Sequence, residues 1–158
     1  MISITSHIAR GDWIRYWTNV PPERIRKLAH HFSQSYRVED LEIAQSGLAL
    51  VPLTDAAMGD TWYLGEIPVA KAHVRLTNPQ GDMTEGAAIV MDDRTSLIRA
   101  LAILDAVTAA EWPGYDIAVE LLHVGRQAVD ATAADRKKLL AATRVDFSLL
   151  SSQEDDDE

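Results

Sequence analysis

The chain of 158 residues contains no cysteine. That excludes disulfides, iron–sulfur ligation by this chain and thiol catalysis, and it suits a reducing cytoplasm. No apolar run is long enough to span a membrane. The opening MISITSHIARGDW has no basic segment followed by a long apolar run, so no signal peptide is expected. There is no G-x-G-x-x-G, no phosphate-binding GxxxxGK[ST] loop, no G-x-S-x-G elbow and no H-E-x-x-H. Five histidines are present (His7, His30, His31, His73, His123). Adjacent His30 and His31 point in different directions on a helix and make a poor chelating pair, and no metal site is expected, because zinc wants three or four converging ligands. No carboxylate spacing marks an acid/base pair.

The hydrophobic fraction of 47% and the length suit one domain with its own core. The formal charge is −9, and removing the five residues of the terminal EDDDE takes it to −4. Nucleic acid is an unfavourable target for such a surface. Residues 151–158 read as a solvating, disordered acidic tail on a single domain of residues 1–150.

Residues 10–19 read as a helix with Trp13 and Trp17 on one face. Pro21 and Pro22 break it and suit the first turn of a second helix, about 22–34, with Ile25, Leu28, Ala29 and Phe32 as its stripe. From about 37 the period shifts toward two. YRVEDLEIAQ, then GLALVPL after a turn at Ser46–Gly47, then TWYLGE, then IPVAKAHVRL, read as successive strands. A turn at Asn78–Gly81 follows, then the strand EGAAIVMD. Short connections favour an antiparallel meander. The segment Thr95–Glu111 is the strongest helix, with Leu97, Leu101, Leu104 and Val107 on one stripe, Asp92 and Asp93 at its positive end and Trp112-Pro113-Gly114 as its stop. A last helix is expected to start near Thr132, where T-x-x-D resembles a capping box, and to run through Leu139 and Leu140 toward Val145. The fold class is therefore α+β: an antiparallel sheet of about four to five strands flanked by N-terminal and C-terminal helices.

Three features carry functional weight. In YLGEIPVAKAHVRL, alternation puts Ala70, Ala72, Val74 and Leu76 on one face and Lys71, His73 and Arg75 on the other. A wet sheet face explains such a row without further purpose; its functional reading is a contact for phosphate or for a partner's acidic groups. Asp105 lies beside the apolar stripe of the best helix, where a buried charge needs a partner; the simpler reading is a boundary position facing water or a neighbouring Arg. TRVDFSLL places Val145, Phe147, Leu149 and Leu150 just before the acidic tail, as either a piece of the core or an anchor for another protein.

Several motifs together resemble one family. Glu42 with Gly47-Leu48, Leu64-Gly65-Glu66, Val69-Ala70-Lys71, Val74-Arg75-Leu76, Asp105-Ala106-Val107 and Thr143-Arg144-Val145-Asp146-Phe147 match, in order, the pattern of PhnG, the smallest subunit of the carbon–phosphorus lyase core complex. Arg10 and Trp13 resemble the family's opening R-x-x-W. The chain departs from the pattern at Asp92-Asp93, Ser148, Leu150 and Ser151-Ser152-Gln153, as a divergent member. The resemblance implies an accessory role in a cytoplasmic assembly. That assembly, with its accessory subunits, replaces the base of ATP with a phosphonate, giving ribose 1-methylphosphonate 5-triphosphate. ATP and phosphonate are then substrates of the assembly, and no cofactor is expected on this chain. The implied main partner is the large nucleosidase-like subunit. Lys71, His73 and Arg75 become candidates for a partner or phosphate contact, and Arg144, Val145, Asp146, Phe147 and Leu150 for docking on the partner. The competing readings are a free-standing small-ligand binding or adaptor domain, and a chain that itself catalyses hydrolysis or transfer.

Overall fold

The computed structural model describes residues 8–143. Its elements are α1 (Arg10–Trp17), α2 (Pro22–Ser35), β1 (Arg37–Thr54), β2 (Thr61–Thr77), β3 (Met83–Val90), α3 (Thr95–Ala109) and α4 (Tyr115–Ala142). The strands form an antiparallel sheet in the order β1-β2-β3, so the class is α+β as expected, with three strands among the described residues rather than four or five.

One expected turn and one expected break between strands are absent, and that accounts for the difference. Ser46 and Gly47 pair with Ala70 and Val69 inside one continuous β1, and Gly47 does not take the positive φ that a tight reversal would use. Ile67 and Pro68 likewise sit within β2, opposite Ala49 and Leu48. Pro68 lacks an amide to donate but is tolerated, because β3 reaches only as far as the pair of Ala70 with Val90 and, among the described residues, leaves that edge unpaired.

The helix α3 is the centre of the molecule. Leu97, Ile98 and all residues from Ala100 to Thr108 are buried. A helix apolar on every side must be covered on every side. It packs on β3 and β2 from one direction and meets α2, α1 and α4 from the others. The approach of β3 is close: a Cβ on Gly86 would collide with the Ala102 carbonyl oxygen and the Ala106 amide. Trp13 and Trp17 of α1 are buried as their spacing requires, and the Trp17 indole N–H donates to the Ala118 carbonyl at 3.0 Å. Ile25, Leu28, Ala29 and Phe32 are the buried stripe of α2. Ala70, Ala72, Val74 and Leu76 are all buried under α3.

The last helix departs most from expectation. It starts at Tyr115, directly after Gly114, and runs for 28 residues. Thr132 is in its interior, where its hydroxyl donates to the Ala128 carbonyl at 3.0 Å, so the expected capping box does not form. The first half carries the stripe Ala118, Val119, Leu121, Leu122 and Gly125 against the core, whereas residues 130–142 are exposed, including Leu139 and Leu140. Arg144, Val145, Asp146, Phe147 and Leu150 lie outside the described residues.

Candidate functional site

The cationic row of β2 is half-buried on the sheet face opposite α3. Each member has a carboxylate across the strand. Lys71 Nζ lies 3.1 Å from Glu42 of β1. His73 Nε2 lies 3.1 Å from Glu85 of β3. Arg75 donates from Nη2 at 2.8 Å and Nε at 3.1 Å to the other oxygen of Glu85, with Glu39 at 3.8 Å. The Arg75 hydrogen bond holds the Glu85 carboxyl below its usual range and raises the guanidinium. Cross-strand pairs of opposite sign are the sheet's normal means of lateral support. Lys71, Arg75 and the His73 imidazole thus meet three carboxylates, and a phosphate arriving here would have to compete with Glu39, Glu42 and Glu85.

Asp105 is buried and paired. Arg10 of α1 reaches it with Nε at 3.0 Å and Nη2 at 2.8 Å, and its other close donor is the Ala87 amide of β3 at 3.1 Å. Arg10 also donates to the Glu85 carbonyl at 3.3 Å. The hydrogen bond to Asp105 raises the Arg10 guanidinium. One carboxylate therefore joins α1, α3 and β3. Of the two neighbours expected for Asp105, the arginine is present. Water is not its main surrounding, because β3 lies close enough over α3 to enclose it. The pair links the R-x-x-W arginine to the D-A-V aspartate across 95 positions, a contact that no local pattern could reveal.

At the entry to α3, Asp92 accepts the Arg94 amide at 2.7 Å and the Arg94 Nε at 2.9 Å. Led by that side-chain bond, its pKa falls from 3.8 to about 2. Asp92 thus serves the turn before the helix rather than capping it.

A second basic group escaped the sequence reading. Val129, Thr132, Ala133, Arg136, Lys137 and Leu140 recur at three and four residues and so share one face of α4. With Arg15 and Asn19 of α1 they line an open groove of about 510 Å³. Among the described residues no carboxylate forms an ion pair with Arg15, Arg136 or Lys137. Arg15 sits in the last turn of α1, where a cation is favourable on its own account. The helical period of residues 129–140 was the signal that could have found this face.

Of the histidines, His30 bonds to Gln34 at 3.2 Å and the His31 ring stands 6.1 Å from that of Phe32. Among the described residues no three His, Cys, Asp or Glu side chains converge to hold a metal, and no helix is long and apolar enough to cross a membrane.

A family model described as phosphonate metabolism protein PhnG matches residues 8–151. No curated protein matches the chain.

Proposed function

The chain belongs to the PhnG family of phosphonate metabolism proteins, and from that premise we propose that it is an accessory, non-catalytic subunit of the carbon–phosphorus lyase core complex. The assembly makes ribose 1-methylphosphonate 5-triphosphate in the cytoplasm from ATP and a phosphonate. The large nucleosidase-like subunit is the main partner and holds the reacting groups. This chain contributes surface rather than a cofactor.

One observation carries the reading. Leu48, Leu50, Leu53, Trp62, Tyr63 and Leu64 are each at least 56% exposed, on two neighbouring strands. Apolar surface gathered in this way marks a place where another protein sits. The test is co-expression with the neighbouring phosphonate genes and a mass measurement on the tagged assembly. A stoichiometric complex is expected, and a lone monomer would contradict the proposal.

Two further contacts belong to the same proposal. Lys71, His73 and Arg75 present a mixed-charge face that a partner reads together with Glu39, Glu42 and Glu85. Reversing those cations would set like charges against each other within the sheet, so the cleaner probe is Lys71→Gln with Arg75→Gln. Weaker assembly of a chain that stays folded is expected, with at most about 1 kcal/mol of stability lost per broken pair. Residues 144–150 dock on the large subunit, with Phe147 as anchor and Arg144 and Asp146 fixing register. Truncation after Thr143 should leave a folded chain that no longer co-purifies, whereas truncation after Gln153 should change nothing.

The groove of Arg15, Arg136 and Lys137 favours a second reading, a domain that binds a small anion by itself. Calorimetry of the isolated chain with inorganic phosphate and with triphosphate distinguishes the two. Saturable binding lost in Arg136→Gln with Lys137→Gln would support the ligand reading, and no heat would remove it.

A further inference from the structure

We propose that the outer ends of β1 and β2, from Leu48 to Ile67, form an arm that inserts between apolar walls of a different protein chain, whose entrance carries lysine and arginine. The inference rests on the subunit reading above and specifies which surface docks and what receives it.

Among the described residues, no side chain of the arm is buried. Pairing of β2 with β3 stops at Ala70 opposite Val90. From there to Thr54 opposite Thr61 the two strands, among the described residues, pair only with each other. No residue from Thr61 to Glu66 is even half-buried, and none of β1 is buried. Such a two-stranded ribbon is marginal in water.

Both of its faces are apolar. Residues directly opposite in an antiparallel pair share a face. Leu48 opposite Pro68 and Leu50 opposite Glu66 lie on one face, and Ala49 opposite Ile67 lies on the other. The register then slips between Leu50 and Pro52, with Gly65 at φ 143° in the slipped segment. Beyond it, Pro52 opposite Tyr63 and Leu53 opposite Trp62 again fall on opposite faces. A ribbon lying flat on a surface would keep one face polar; this one suits enclosure from both sides.

The edges suit strand addition poorly. Pro52 and Pro68 each remove an amide donor, a common way of blocking an edge against another strand. Recognition therefore goes through side chains.

Charge identifies the occupant. No lysine or arginine occurs between Arg37 and Lys71, and the charged residues of the arm are Asp55, Asp60 and Glu66. The arm of a second copy brings the same three carboxylates, and this chain's own EDDDE terminus brings more of the same sign. Arm-to-arm pairing and the terminus are both repelled, whereas a basic rim attracts and steers the arm; a second copy docking through its Arg15, Arg136 and Lys137 groove is the homodimer outcome of the test.

The test uses the full chain with its co-expressed subunits, by sedimentation and titration. Three variants are compared with the wild type: residues 48–67 replaced by Asn-Gly; Trp62→Ser with Leu64→Ser; and Asp55→Lys, Asp60→Lys and Glu66→Lys together. The first two should keep the wild-type melting temperature and lose roughly a hundredfold or more in affinity. The charge reversal should lose about tenfold at low salt, with the gap closing as salt rises. If the wild type assembles and the shortened and serine variants assemble equally well, the arm inference fails while the subunit reading stands. If the wild type joins no subunit, both fail. A wild-type homodimer that disappears on shortening would assign the arm to a second copy and overturn the proposal. Unchanged affinity on charge reversal would overturn the basic entrance.

Discussion

One strand runs through both halves of the molecule. Between Ala70 and Leu76, β2 lies under α3 and every second side chain is buried; between Thr61 and Glu66 the same strand has none. The inner half alternates small or branched apolar residues with charges that meet carboxylates on β1 and β3. The outer half places apolar residues on both faces and, among the described residues, pairs with β1 without any other layer over it. Alternation makes a core face only where another layer covers it, and here the layer is α3. The same division recurs in α4, whose first half packs against the core and whose second half is exposed.

Two tryptophans probe this contrast with the largest expected difference. Trp17 is fully buried and its indole is hydrogen-bonded, so Trp17→Ala should cost about 3–5 kcal/mol in urea unfolding. Trp62 is 64% exposed on the arm, and Trp62→Ala should stay within about 0.5 kcal/mol of wild type. Comparable losses at the two positions would mean that the arm belongs to the folded core after all.

Asp105 gives the next effect. Asp105→Ala removes a buried acceptor from the Ala87 amide and from Arg10, with an expected loss of about 2–3 kcal/mol. Asp105→Asn keeps one acceptor oxygen and should lose less. An alanine variant as stable as wild type would show that α1, α3 and β3 need no polar tie.

The smallest effect is at the turn before α3. The folded Asp92 pKa of about 2 lies below its ordinary 3.8. The deprotonated carboxylate therefore adds stability that is complete above the ordinary value and lost as pH falls through the folded one. The site is near the surface, so the amount is about 0–1 kcal/mol. Comparing wild type with Asp92→Asn from pH 5 to pH 2 should show the small difference at the upper end vanish at the lower. A difference that grows on acidification would reverse the assignment.

Much of the inner half was legible in the sequence because its signals are local. The stripes of Trp13 and Trp17, of Ile25 to Phe32 and of Ala70 to Leu76 repeat within a few residues. What failed was either non-local or ambiguous. Ser46-Gly47 has turn chemistry, yet a long partner strand held it extended. Thr132-x-x-Asp135 has the spacing of a cap, which inside a helix is merely one turn. The basic residues at 71, 73 and 75 were visible, but the glutamates that meet them arrive by strand register. Arg10 and Asp105 were each singled out, but nothing local joins them. The arm was read as ordinary strands, because a sequence shows that a residue is apolar and not whether anything covers it.

The central claim is that the inner half is complete in itself and the arm is completed by another protein. Hydrogen–deuterium exchange on the isolated chain and on the assembled complex tests it most directly, because exchange reports local opening. The account predicts slow exchange in α3 and in residues 70–76 in both states. Residues 48–67 should exchange fast in the isolated chain and become protected on assembly. An arm as protected alone as the core, or unchanged on assembly, would contradict it.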